Sequence, residues 1–131
     1  MPVRGVFQLN GLDDYLEKIA QAGEDVDKAA ENAVAAGGDV VLDIMLENVP
    51  RLTGELASKL ERTEPKRDGN YIFVEVGVSI NAEDEVARYG NVQEFGSATT
   101  PAHPYIRPAF DQGKSAARKA ERESLKKDGV L

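Results

Sequence analysis

The 131-residue chain has no cysteine, no tryptophan and one histidine, His103. Without cysteine there is no disulfide framework, no thiolate zinc site and no cysteine nucleophile. A lone histidine excludes a multi-histidine metal centre. Long apolar runs are also missing. No run is longer than Ala33-Val34-Ala35-Ala36, far short of the roughly 20 residues that span a bilayer. The opening Met-Pro-Val-Arg-Gly lacks the apolar core of a signal peptide, so the expected compartment is the cytoplasm or a particle assembled there. Apolar residues make up 41% of the chain, enough for one compact domain without a staple. A single domain over 1–131 is expected, with the extreme N-terminus and about 126–131 frayed.

The net charge of −7 hides an asymmetry. Residues 1–50 carry 3 basic and 10 acidic groups, residues 51–100 carry 6 and 9, and residues 101–131 carry 7 and 4. An acidic start and a basic end argue against a nucleic-acid binder, whose domains are typically basic. They suit opposite ends meeting, within one chain or between identical subunits.

Periodicity outlines the elements. Residues 3–9 alternate as a short strand, broken by Asn10-Gly11. Leu12, Tyr15, Leu16 and Ile19 make the stripe of an amphipathic helix that Gly23 ends, with Asn10 or Asp13 as its cap. The spacing of Val26, Ala30, Ala33, Gly37, Val41 and Ile44 predicts a helix over 25–48, about 36 Å long. Gly37-Gly38 in its middle marks a break between two helices, a site of close approach, or a merely tolerated weak point. Pro50 stops the helix. Leu56 to Thr63 reads as strand or a last helical turn, with a strand favoured from about Ser58, then a polar turn over 64–70 with the hairpin cue Asp68-Gly69. Ile72, Val74, Val76, Val78 and Ile80 share one face of a strand over 71–80, and the long helix should cover that face. A short helix or turn is expected around 84–93. Pro101, Pro104 and Pro108 should hold 101–107 extended, with Pro108 opening a final helix striped by Ala109, Gly113, Ala116, Ala117 and Ala120. The sum is α+β: a small antiparallel sheet of three to four strands on one long helix, with a short N-terminal and a C-terminal helix.

Little in the sequence resembles catalytic machinery. There is no nucleophile elbow, phosphate-binding loop or dinucleotide fingerprint. His103, between Pro101-Ala102 and Pro104, would need a partner such as Glu94 for acid–base work. Glu83-Asp84-Glu85 reads as a solvated loop, and the basic C-terminal helix, interleaved with Glu121 and Glu123, reads as a solvated face or protein contact. No cofactor, metal, membrane or direct sequence-specific nucleic-acid partner is expected.

One stretch is more specific. Tyr89-Gly-Asn-Val-Gln-Glu94-Phe95-Gly96-Ser97, followed by Pro101-Ala102-His103-Pro104-Tyr105-Ile106-Arg107-Pro108-Ala109-Phe110, resembles the tail-component, head–tail joining family of long-tailed bacteriophages and prophages. That family pairs a tyrosine and Glu-Phe-Gly-Thr/Ser with Pro-Ala-Arg-Pro-Phe-Leu-Arg-Pro-Ala. Pro50-Arg-Leu-Thr53-Gly54-Glu-Leu56 and Phe7-Gln-Leu-Asn-Gly11-Leu12-Asp13 extend the likeness, to roughly 5–125. His103 stands where the family has arginine, and Arg51-Leu52 where it has Val-Asp.

The resemblance implies a non-enzymatic virion protein of the tail or neck, made in the host cytoplasm. Such proteins form rings, commonly hexamers, beside connector, neck and tail-tube proteins. The alternatives are another minor tail or neck component, or a small prophage-derived protein-binding module. The candidate loop or interface residues are Tyr89, Glu94, Phe95, Gly96, His103, Tyr105, Arg107 and Phe110. In this picture Gly96 turns the chain after Phe95, the Phe95 ring anchors the loop in the core, and Glu94 pairs with Arg107 within or between subunits. Ordinary core packing is the plain alternative for Phe95, Tyr105 and Phe110.

Overall fold

The computed structural model describes residues 3–8, 26–51, 53–68 and 71–129. The helix expected over 12–22, with its caps, lies outside them. The described elements run β1 (Arg4–Gln8), α1 (Val26–Asn48), α2 (Glu55–Ser58), β2 (Leu60–Arg62), β3 (Lys66–Asp68), β4 (Tyr71–Val78), α3 (Asp84–Phe95) and α4 (Arg107–Lys127). This is the expected α+β class, an antiparallel sheet of four strands with one long helix.

The central strand is β4. On one side it pairs with β1, Arg4 opposite Gly77 and Phe7 opposite Val74. On the other it pairs with β2 and with β3, Asp68 opposite Tyr71. Residues 66–68, expected as polar turn, are therefore strand, because they pair antiparallel with Tyr71–Phe73 of β4. Residues 55–58 form a helical turn, and β2 starts at Leu60, later than the favoured strand start at about Ser58. Residues 101–104 form no strand.

Alternation in β4 sorts its side chains. Ile72, Val74, Val76 and Val78 are buried, each contributing about 1.5–3 kcal/mol. Ile80 departs from the expected face and is 69% exposed, because the strand ends at Val78. On the sheet's other face Glu75 meets Lys66 at 2.5 Å and Arg4 at 3.6 Å, and Arg4 also meets Glu61 at 3.4 Å. The Lys66 hydrogen bond is the main reason that the Glu75 carboxyl sits below its ordinary pKa, against the opposing effect of burial.

Helix α1 is continuous through Gly37-Gly38. The pair makes room for side chains rather than a break. A Cβ on Gly37 would lie 2.3 Å from the Phe7 ring, and one on Gly38 would lie 2.6 Å from Val74 and 2.9 Å from Arg62. Arg62 pairs with Asp39, the residue after Gly38. The stripe of Ala30, Ala33, Val34, Val41 and Met45 is buried, and α1 packs against both β4 and α4.

Helix α4 turns Ala109, Gly113, Ala117, Glu121 and Leu125 inward. Ala116 is exposed and Ala120 only half-buried, so the expected small stripe is narrower than its sequence. Gly113 lets the helices close: a Cβ there would meet Ile44 at 2.8 Å. Lys126 and Lys127 end the helix, where cations suit the dipole.

Candidate functional site

Glu94, Phe95, Gly96, Tyr105 and Arg107 meet at the join between α3 and α4. Helix α3 ends at Phe95, and Gly96 turns the chain at φ 79°. A side chain there would be strained, and its Cβ would lie 3.0 Å from the Ala102 nitrogen. The loop then folds back: Ser97 N–H donates to the Thr100 carbonyl at 2.8 Å and His103 N–H to the Gln93 carbonyl at 2.6 Å.

Glu94 is fully buried at the centre of this turn. Its Oε1 accepts from the backbone N–H groups of Tyr105 (2.9 Å) and Ile106 (2.8 Å). Its Oε2 accepts from Arg107 N–H (3.1 Å) and Arg107 Nε (2.8 Å). Arg107 Nη2 in turn donates to the Glu94 carbonyl at 2.7 Å. The first N–H groups of a helix have no intrahelical partner, and here a carboxylate from another helix takes them, where the α4 dipole also favours it. Burial alone would raise the Glu94 pKa. The hydrogen bonds from Ile106, Tyr105 and Arg107 outweigh burial and hold it below the ordinary value.

Tyr105 is buried, its hydroxyl donating to the Gly90 carbonyl at 3.1 Å. Burial, then the Glu94 charge, pushes its phenol pKa upward. Gly90 has no space for a Cβ, which would lie 2.9 Å from that hydroxyl. Tyr89 is half-buried beside a separate cleft formed with Thr53, Glu55, Leu56, Glu85 and Val86.

Phe95 corrects an expectation. Its ring does not anchor the loop in the core but stands 60% exposed, with the Arg107 guanidinium 5.1 Å from its centroid. Glu94, one residue earlier on the helix, faces inward. A 100° step along an α-helix separates the two side chains onto different faces, and the core takes the carboxylate because its donors are there.

Phe95, Arg107 and Phe110 line a cleft of about 490 Å³ together with Val3 and Val6 of β1. The Phe110 ring occupies the space that a Gly5 Cβ would need, at 2.2 Å. β1 is the last strand on its side of the sheet, and Val6 is 53% exposed. The β1 contribution was missed by sequence reasoning, although Val6 alternates with inward Phe7.

His103 is exposed and stands apart from this cleft. Glu94 spends both oxygens on Tyr105, Ile106 and Arg107, so it is not available to orient His103 as an acid–base partner. The arrangement positions a loop and a helix; it gathers no nucleophile and base.

Residues 10–96, about two-thirds of the chain, match the model of a family described as "Bacteriophage HK97-gp10, putative tail-component". The match spans α1 through α3 and ends at Gly96, so Pro101–Phe110 lies beyond it. No curated protein and no solved structure matches the chain. That match, over about two-thirds of the chain, places it by family: the chain belongs to the HK97 gp10-like family of bacteriophage tail components.

Proposed function

We propose that this chain is a structural virion protein at the phage neck or head-proximal tail end, where it joins or completes the tail as a single-domain subunit of a ring. Its role is architectural, and its partners are further copies of itself with the connector or neck and tail-tube proteins. The observation that carries this reading is the exposed Phe95–Val6 surface beside a rigid latch. Glu94 fixes Arg107 and the start of α4, while Phe95 and Val6 remain open to a neighbour. Exposed apolar surface of this kind marks a contact site. A latch already ordered before docking loses less entropy on assembly.

A closed ring of identical subunits needs two unlike faces on each subunit. The acidic first fifty residues and the basic last thirty-one provide unlike charge for them. Electron microscopy of particles made without this protein tests the role. Full heads beside unattached tails are the expected result, and normal infectious virions would overturn it. Light scattering over a range of concentration and salt tests self-association.

A further inference from the structure

We infer that the Phe95 cleft receives residues 80–85 of a second copy of this chain, the two copies meeting head to tail. This rests on the ring reading above and assigns its interface.

The two surfaces match in kind. The cleft offers apolar Val3, Val6, Phe95 and Phe110. Of the charged residues that line it, Arg4 and Arg107 are basic and Asp111 and the buried Glu94 acidic, and Lys114 and Arg118 add positive charge along the adjoining cleft on α4. Residues 80–85 offer the reverse charge on a similar apolar base. Ile80 is 69% exposed, more than any other large hydrophobic among the described residues. Glu83, Asp84 and Glu85 follow it, all exposed. The segment is shaped in advance: Ala82 N–H donates to the Ser79 carbonyl at 3.1 Å, and Asn81 N–H to the Ser79 hydroxyl at 3.1 Å.

Their placement separates them within one chain. Residues 80–85 enter α3 at its N-terminus, and Phe95 closes it. Twelve helical residues put these ends about 18 Å apart. The two patches therefore cannot satisfy each other in a monomer, but a neighbour displaced along α3 brings them together. That is the heterologous relation from which rings are built. The contact also brings a carboxylate-rich segment to the outer side of Arg107, whose inner side is already held by Glu94.

The absence of native cysteine makes a clean test. Val6 pairs with Glu75, and β4 runs on from there to Val78, about 10 Å, before Ser79 and Ile80 follow. A disulfide needs Cα atoms within about 7 Å, so a V6C/I80C variant cannot close on itself. Under mild oxidation, in solution and in tails purified from particles carrying the variant, it should give covalent multimers beyond the dimer. The ladder should stop at the ring size. V6C or I80C alone should give no species beyond a dimer. I80S should keep the melting temperature and weaken self-association at least tenfold.

Rings or tails that contain V6C/I80C without any ladder would overturn this interface and leave the ring reading standing. A chain absent from tails, with no joining defect when deleted, would remove the ring reading and this inference together.

Discussion

Glu94 and Arg107 hold each other from both ends: the Glu94 carboxylate accepts Arg107 Nε at 2.8 Å while Arg107 Nη2 donates to the Glu94 carbonyl at 2.7 Å. The pair ties the last turn of α3 to the first turn of α4. Replacing Glu94 by Gln keeps the volume but places an NH2 group against N–H donors and removes the charge. E94Q should lose about 1.5–3 kcal/mol of stability, the range for hydrogen bonds to a charged group. R107K should lose less, since the backbone donors to Glu94 remain. Urea denaturation of both variants checks the order; an E94Q as stable as the wild type would refute the latch.

The same carboxyl sets an acid limb. Its folded pKa lies below the ordinary 4.5, so its contribution is fully present above the unfolded value and is lost as pH falls through the folded one. Stability measured from pH 6 down to pH 3 should fall more steeply in the wild type than in E94Q.

Glu121 should act in the opposite direction. It is 2% exposed on the inward stripe of α4, with Oε1 unpartnered. Burial raises its pKa to about 7, against the opposing charges of Arg118 and Arg122. The folded state therefore retains a proton that the unfolded state has released between about 4.5 and 7. Stability should fall as pH rises through that window, by on the order of 3 kcal/mol. E121Q should flatten the slope between pH 5 and pH 8. Identical pH profiles for the two proteins would show that the folded structure does not penalise the Glu121 charge.

Gly37 offers a test of packing against propensity. Alanine in a helix interior gains about 1 kcal/mol over glycine. Its Cβ would, however, sit 2.3 Å from the Phe7 ring, and overpacking of that kind costs about 1–3 kcal/mol. G37A should therefore be destabilised on thermal unfolding. A stabilised G37A would mean that the ring moves aside freely.

Phe95 separates stability from assembly. Its ring is largely exposed, and its described ring contact is the Arg107 guanidinium, worth about 0.5–1 kcal/mol at an exposed site. F95A should change stability by less than about 1 kcal/mol yet fail to complement particles lacking the protein. Full complementation by a folded F95A would remove Phe95 from any contact surface.

Local pattern carried much of the architecture. Alternation over 71–80 marked the strand that the fold puts at the centre, the 3.6-residue repeat over 25–48 marked the long helix, and Pro108 marked the start of the last one. These are properties of a chain and its nearest neighbours, so periodicity reports them. The pairing of Glu94 with Arg107 was also legible, because two opposite charges flank a short proline-stiffened loop.

What the sequence determined alone was the class of fold, the absence of cysteine chemistry and the charge division along the chain. Tertiary structure decided which side of each element is covered. Phe95 points outward because Glu94 takes the inward position beside four N–H donors. Ile80 lies open because β4 ends before it. Gly37-Gly38 stays helical because Phe7, Val74 and Arg62 fill the space left by two missing side chains. Glu121 is buried because α4 turns that stripe toward α1. Each outcome depends on a partner distant in sequence, and periodicity within one segment contains no information about what packs against it.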